Sequence, residues 1–157
     1  MQKISPFLWF DTQAEEAAQF YVSVFPNSRI TQVTRYPEQG PGTAGAVMTV
    51  SFTLDGQEFM ALNGGPQFSF SQAVSFMIAC ETQEELDRYW ERLGEGGQYL
   101  ECGWLTDKYG LPWQIVPADL PRLMDQSDPA RAQRVMTAVW QMVKLDIATL
   151  QRAYEGK

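Results

Sequence analysis

The sequence predicts an α+β protein built from two tandem βαβββ modules, followed by C-terminal helices. Segments of strand-like and helix-like periodicity alternate along the chain, and the same order of segments occurs twice. The modules are predicted at 4–63 and 74–117, and the pattern over 118–157 is purely helical. A chain of 157 residues is long enough to form a core of its own, and we expect a single domain.

The first module begins with the aromatic run 4–10, which is short enough to be one strand. The segment 11–25 then places apolar residues on one helical face, and Thr12 and Glu15 have the spacing of a capping box. Pro26 ends this helix. Turn residues separate the segments that follow, which predicts three strands, at 28–36, 46–54 and 58–62.

The second module repeats this order, with a strand at 74–80, a helix at 82–93, strands around 99–104 and a last strand at 112–116. A shift of 70 residues places 11–13 on 81–83, and Thr82 and Glu85 repeat the capping-box spacing of the first helix. At the last strand of each module, a shift of 54 places Met60 on Gln114. We interpret this as an internal repeat, and the alternative is chance similarity between two amphipathic helices.

Two helices are predicted in the extension. Asp128 is positioned to cap the first, which starts at Pro129, and Asp146 is positioned to cap the second, at 147–154. We expect these helices to cover a sheet or a partner subunit. One apolar face of the first helix is predicted to contain Val135, Val139, Met142 and Val143.

Composition excludes several functions. The net charge of −7 argues against a nucleic-acid partner, because binding phosphates requires a basic surface. The chain has no histidine, which removes the commonest general base and metal ligand. Cys80 and Cys102 match no zinc or redox motif, and no signal peptide or membrane-spanning stretch is evident. We therefore expect a cytoplasmic protein with no membrane partner.

Several motifs stand out along the chain, at 6–11, 14–17, 20–21, 102–104, 107, 109–110, 113–115 and 144–147. Together they resemble the PhnB-like branch of the vicinal oxygen chelate superfamily, which includes glyoxalase I and bleomycin-resistance proteins. This branch also carries a demethylubiquinone methyltransferase-like label. The resemblance covers residues 4 to about 153, and it implies a curved half-barrel sheet, a small-molecule ligand and a homodimer.

In that superfamily, four positions in the cleft usually hold a metal through His, Gln or Glu. In this chain those positions fall near Ile4 or Ser5, at Met60, near Val74 or Ser75, and at Gln114. Only Gln114 is a plausible ligand, and a stable site needs three or more protein donors. We therefore expect no metal, no other cofactor and no catalytic residue, and we interpret the chain as a metal-independent small-molecule binding protein.

An enzyme is the alternative: a metal-dependent lyase or dioxygenase, or the methyltransferase of the family label. Binding of S-adenosylmethionine generally relies on a glycine-rich turn between a strand and a helix, and no segment has one in that context.

The ligand pocket is predicted on the concave side of the strands. The candidate residues are Trp9, Met60, Asn63, Trp104 and Gln114. Core packing is the alternative for the aromatic and methionine residues. Gln114 lies among apolar neighbours, where a buried amide needs a hydrogen-bond partner or costs about 1–3 kcal/mol. Its amide therefore bonds either to the backbone or to a ligand.

Overall fold

The computed structural model describes residues 2–157, which divide into two compact units, 2–70 and 71–157. Each unit contains one predicted module, folded as an open four-stranded mixed sheet with a helix on one face. This confirms the predicted fold class. No helix within residues 2–157 is both long and apolar enough to cross a bilayer.

The first unit contains β1 (Phe7–Phe10), α1 (Ala14–Val24), β2 (Arg29–Arg35), β3 (Val47–Leu54) and β4 (Gln57–Asn63). The strand order is β1-β4-β3-β2, with β1 parallel to β4 and the other pairs antiparallel. Side chains alternate between the two faces, so one face of β3 and β4 is buried under α1. Tyr21 of α1 stacks on Phe52 of β3, with ring centroids 6.3 Å apart.

The predicted capping box at the start of α1 is wrong. The helix begins one residue later than that box requires, with Gln13 at the N-cap, and no side chain at that position accepts a hydrogen bond. Asn63 at the end of β4 provides the acceptor instead, because its Oδ1 accepts a hydrogen bond of 2.8 Å from Ala14 N. The N–H group of Ala14, which has no acceptor within the helix, is thus satisfied by a residue distant in sequence.

The second unit begins with β5 (Phe76–Cys80), α2 (Gln83–Gly94), β6 (Gln98–Tyr99), β7 (Trp104–Thr106) and β8 (Pro112–Pro117). The strand order is β5-β8-β7-β6, and β5 is parallel to β8. Here the predicted cap is confirmed, because Thr82 Oγ1 accepts a hydrogen bond of 3.1 Å from Glu85 N. The strands expected around 99–104 are short, since most of that range forms a turn.

Strand register confirms the repeat. Met60 of β4 lies between Phe7 of β1 and Ser51 of β3. In the second unit, Gln114 of β8 lies between Met77 of β5 and Trp104 of β7. A shift of 70 residues between β1 and β5 and a shift of 54 residues between β4 and β8 therefore relate residues that are paired in the same way in the two sheets.

The extension forms α3 (Leu120–Leu123), which was not predicted, α4 (Pro129–Trp140) and α5 (Ile147–Glu155). The caps of α4 and α5 are Asp128 and Asp146, as predicted. Met142 and Val143 were predicted on the face of the first of these helices, but α4 ends before them. Their carbonyl groups instead accept hydrogen bonds from the backbone of Cys102 and Gly103, at 2.9 and 2.8 Å.

Gln83 joins α2 to the extension. Its Nε2 donates to Leu145 O at 3.1 Å, and its Oε1 accepts from Ile147 N at 2.8 Å. Beside it, Lys144 Nζ lies 3.0 Å from Asp87 Oδ1. Hydrogen bonds from Gln83 and Lys144 hold the pKa of Asp87 below its usual value. The motif at 144–147 therefore fixes the extension to the second module.

Candidate functional site

In each unit the sheet face that is turned away from the helix is only partly covered, and we call it the open face. Because strand side chains alternate, residues paired across adjacent strands form rows on this face. The central rows contain Phe7, Met60 and Ser51 in the first unit, and Met77, Gln114 and Trp104 in the second. Four of the five predicted pocket residues lie on these open faces, and the fifth, Asn63, ends β4.

The open face of the first unit has a cavity of about 370 Å³ beside Met60. Met60 is half-buried, and its neighbours in this cavity include Ser5, Ser51 and Glu58. Met60 and Ser5, which is one of the two residues expected near the first superfamily metal position, border the same cavity. This surface combines the apolar thioether of Met60 with the hydroxyl groups of the two serines and the carboxylate of Glu58.

Trp9 is held by the loop that follows β4. Its Nε1 donates a hydrogen bond of 2.9 Å to Gly65 O, and its ring meets Phe68 edge to face with centroids 5.0 Å apart. A Cβ placed on Gly64 would approach the indole ring to 2.4 Å, so only glycine permits this contact. The polar atom of Trp9 is thus used within the fold.

Both groups of the Asn63 amide also bond within the fold, because Nδ2 donates to Val47 O at 3.2 Å while Oδ1 caps α1. Asn63 nevertheless borders a cavity of about 620 Å³ between the start of α1 and two loops. The sequence did not predict Tyr36 and Gln67 in its wall. Tyr36 donates a hydrogen bond to Asn63 O, a long-range contact that no local pattern reveals.

Gln114 lies at the centre of the row in the second unit, half-buried between Met77 and Trp104. Its Nε2 donates a hydrogen bond of 2.9 Å to Ser75 Oγ. Within Ser71–Lys157, this is the hydrogen bond that the Gln114 side chain makes, and its Oε1 has no protein donor. The amide is therefore anchored at one end and available at the other.

Trp104 also borders a groove of about 490 Å³ at the turn between β6 and β7. The turn includes Cys102, which has a positive φ of 61°. Gly103 follows with φ 82°, and a Cβ there would lie 3.0 Å from Leu145 Cγ. Glycine thus allows the extension to approach the base of Trp104.

Asp107 lies in the turn before β8 and is buried, with 2% of its surface exposed. Its Oδ1 accepts hydrogen bonds from Tyr109 N at 2.8 Å and Leu111 N at 3.1 Å. Its Oδ2 accepts from Trp113 Nε1 at 2.9 Å. It therefore shapes the turn from inside the second unit. The carboxylate stabilises the strand that carries Gln114, and it does not reach the open face.

The two cysteines differ in environment. Cys80 is buried, and burial raises the pKa of its thiol to about 12. A thiol held neutral at physiological pH is a poor nucleophile. Cys102 is half-buried in the turn before Trp104, and both thiols are free.

The residues at the four superfamily positions do not fit a metal. Within the first unit they offer a thioether at Met60 and an alkyl group or a hydroxyl at Ile4 or Ser5, and within the second an amide at Gln114 and an alkyl group or a hydroxyl at Val74 or Ser75. Divalent metals in proteins are held by carboxylate, imidazole, thiolate or carbonyl groups, in sets of three or more. Across residues 2–157, no group of three His, Cys, Asp or Glu side chains is placed to hold an ion.

The sequence profile of the 3-demethylubiquinone-9 3-methyltransferase family matches residues 2–116, which is most of the chain. The chain belongs to this family. It is the PhnB-like family that the sequence motifs resemble. The matched range ends at the close of β8, so the extension lies outside it.

Solved structures support the family. The PhnB protein of Bacillus cereus is 42% identical, with a TM-score of 0.67, and the match covers 73% of this chain and 99% of that protein. A protein of Pseudomonas aeruginosa is 18% identical, with a TM-score of 0.61 over 74% of this chain and 97% of its own. A gene product of Arabidopsis thaliana is also 18% identical, with a TM-score of 0.50 over 74% and 98%. The last two show the fold alone. No curated protein matched the chain.

Proposed function

We propose that the protein binds a small organic molecule on its open faces without a metal ion. The observation that carries this proposal is Gln114: a half-buried amide between Met77 and Trp104, bonded to Ser75 through Nε2 and open at Oε1. Apolar walls with a few placed polar groups are typical of small-molecule sites. We propose further that Trp9 and Met60 line the ligand surface of the first unit, and that Trp104 and Gln114 line that of the second.

The chemistry of the row selects a class of ligand. Trp104 and Met77 offer an aromatic ring and a polarizable thioether, which favour a planar apolar molecule. The open Oε1 of Gln114 accepts a hydrogen bond, so the ligand should carry one N–H or O–H donor. Asn63 contributes less in this proposal, because both ends of its amide are bonded within the fold.

The test uses 4-nitroaniline, which is planar and has an N–H donor. Binding is followed by quenching of tryptophan emission in the wild type and in Gln114→Leu, which keeps the volume and removes the amide. We expect Gln114→Leu to lose about 1–3 kcal/mol of binding free energy with the fold intact. The matched control is Gln98→Leu at an exposed position of the same unit, which should bind as the wild type does.

Two results would contradict the proposal. One is unchanged affinity in Gln114→Leu together with lower stability, because that outcome assigns the amide to packing. The other concerns the metal: one equivalent of zinc, iron, manganese or nickel retained through purification, and lost in Gln114→Leu, would show a metal-dependent site. Elemental analysis of both variants decides this point.

The family name makes a methyltransferase the second candidate. The turns between strand and helix are 11–13 in the first module and 81–82 in the second, and neither contains glycine. A backbone approach to S-adenosylmethionine is therefore not favoured at either turn. We expect no change in melting temperature with this cofactor. A bound cofactor at a hundred times its dissociation constant would add about 2.7 kcal/mol, and a saturable increase would favour the transferase.

We also propose that the protein acts in the cytoplasm as a homodimer. Two free thiols suit a reducing compartment. Phe7 and Met77 occupy equivalent positions of the two modules and are 54% and 62% exposed, which is costly for large apolar side chains. Light scattering should give twice the chain mass of 17.8 kDa, and a monomer at all concentrations would contradict the dimer.

A further inference from the structure

Ser75 anchors the amide of Gln114. It lies just before β5, two residues before Met77, and the alternation of side chains places it on the open face with Met77 and Gln114. Its Oγ accepts the hydrogen bond of 2.9 Å from Gln114 Nε2. The terminal torsion of a glutamine side chain is otherwise only loosely restricted. This bond therefore sets the direction in which Oε1 points.

Among residues 71–157, Gln114 is the hydrogen-bond partner of the Ser75 side chain. β5 is an edge strand of its sheet, so a neighbouring strand lies on one side of it. Continuing the pairing of β5 with β8 by one residue places Pro112 beside Ser75, and a proline ring offers neither a donor nor an acceptor. A serine hydroxyl is both a donor and an acceptor. Because Oγ accepts from Gln114, the O–H group of Ser75 is left to donate to a ligand.

Hydrogen-bond donors outnumber acceptors around Gln114. Its Nε2 carries two hydrogens, and one of them is bonded to Ser75. The neighbouring indole of Trp104 is half-buried, and within 71–157 its Nε1 makes no hydrogen bond. Trp113 of the same unit differs, because its Nε1 donates to Asp107 Oδ2 at 2.9 Å. The oxygen acceptor in this row is Gln114 Oε1, so the row favours a ligand that brings an acceptor as well as a donor.

We propose that the second unit binds a planar lactam, an inference that rests on the open-face function and names the class of its ligand. The ring N–H of the lactam donates to Gln114 Oε1. The lactam carbonyl oxygen accepts from the donors beside it, the second N–H of Gln114 and the O–H of Ser75. A lactam carries its N–H and C=O on adjacent atoms, as the amide of Gln114 carries its donor and acceptor, so the two edges are complementary. In this site Ser75 is a positioning residue.

The test compares three bicyclic compounds by ligand-observed NMR titration of the full chain. Oxindole is a planar lactam. Indole has the N–H without the carbonyl group, and N-methyloxindole has the carbonyl group without the N–H. We expect the wild type to bind oxindole about fivefold more tightly than either of the others, which is the effect of one additional hydrogen bond.

Gln114→Glu changes the donor pattern with almost no change in volume. The carboxylate retains an acceptor and removes both N–H groups of the amide. The selectivity should therefore reverse: the dissociation constant of oxindole should rise about tenfold, and that of indole should fall because its N–H meets a charged acceptor. The matched control is Gln133→Glu, since Gln133 Nε2 also bonds to a hydroxyl, Thr137 Oγ1 at 3.2 Å, on the exposed surface of α4. It should bind all three compounds as the wild type does.

Ser75→Ala removes the anchor and leaves the amide in place. The side chain of Gln114 can then rotate, so the preference for oxindole over indole should fall from about fivefold to less than about twofold. Ser75→Thr retains the hydroxyl and should restore the preference. The ratio of the two dissociation constants is the readout, because a purely structural role of Ser75 would weaken both compounds alike.

Equal binding of oxindole and indole by the wild type, with both weakened in Gln114→Leu, would overturn the lactam assignment and leave the open-face function in place. If oxindole binds Gln114→Glu as tightly as the wild type, it is recognised elsewhere and the assignment is also wrong. Absence of saturable binding of all three compounds to the wild type would overturn both proposals.

Discussion

The two modules share strand order and register, yet they satisfy their helix ends and turns with different residues. The first amide of α1 is bonded by Asn63 from the end of β4, whereas α2 is capped by its own Thr82. Before the last strand, the first module turns through the exposed pair 55–56, whereas the second uses the buried carboxylate of Asp107.

The second difference is in length. In the first module β2 and β3 are seven and eight residues long, whereas β6 and β7 are two and three. The extension contacts the turn between these short strands and is held by Gln83. The repeat thus preserves backbone pairing, and the polar contacts that stabilise each module are specific to it. Substitutions at equivalent positions of the two modules should therefore change the stability of the protein by different amounts.

The largest difference is expected at the turns before the last strands. Asp107→Asn replaces one of the two acceptor oxygens with an NH2 group, which must face either the Trp113 indole N–H or the two backbone N–H groups, and it should cost about 3 kcal/mol in free energy of unfolding. Asp55→Asn, at the exposed turn of the first module, should change it by less than about 0.5 kcal/mol. Urea denaturation measures both. Equal costs would remove the distinction between the two turns.

Gln13 and Gln83 are equivalent by the repeat but differ in their contacts. Gln83→Ala loses the bonds to the extension and should cost about 2 kcal/mol. Gln13 is an exposed N-cap without a side-chain bond, and Gln13→Ala should cost less than about 0.5 kcal/mol. Native-state hydrogen exchange resolves the two modules separately. If amides of the first module lost protection against exchange in Gln83→Ala, the stabilising effect of Gln83 would not be confined to the second module.

The caps of the two helices provide a third comparison. Asn63→Ala leaves Ala14 N and Val47 O without their partners and should cost about 1.5 kcal/mol. Thr82→Ala should cost about 1 kcal/mol. Thr12→Ala should have almost no effect, because Thr12 does not cap α1. Thermal unfolding of the three variants gives the order of their effects on stability. A destabilised Thr12→Ala would show that Thr12 caps α1 after all.

The smallest effect concerns Cys80, whose equivalent in the first module is the apolar Phe10. Because burial raises the pKa of Cys80 to about 12, the folded state retains this proton longer than the unfolded state does. The stability from the neutral thiol is present below pH 9 and is lost as pH rises toward 12. Cys80→Ala should remove roughly 1 kcal/mol of the loss between about pH 8 and pH 10. The same pH dependence of stability in the wild type and in Cys80→Ala would contradict this expectation.

The sequence predicted the fold because the repeat is carried by period and by turn residues, which are local signals. Equivalence of Met60 and Gln114, and the caps at Thr82, Asp128 and Asp146, all follow from such signals. The capping of α1 by Asn63 could not be predicted, because it joins residues 49 positions apart.

In the candidate site, too, some features follow from local signals and others do not. Alternation of side chains along β4 and β8 predicts which sheet face Met60 and Gln114 occupy. The strand register places their paired residues on the adjacent strands on that same face. Burial of Asp107 was not predicted, because a carboxylate in a turn is ordinarily solvated and its indole partner Trp113 lies on the next strand. The bond from Gln83 to the extension was also missed, since it joins residues 62 positions apart.

Attachment of the extension also has a consequence for biosynthesis. A chain leaves the ribosome N-terminus first, and domains generally fold as they emerge. All strands and the helix of the first unit are present once Phe70 has emerged. The second unit has its last strand at Pro117, but the partners of Cys102, Gly103 and Gln83 follow only at 142–147. During translation the second unit must therefore wait for about thirty further residues, roughly 2–6 s of synthesis, before its polar groups are satisfied.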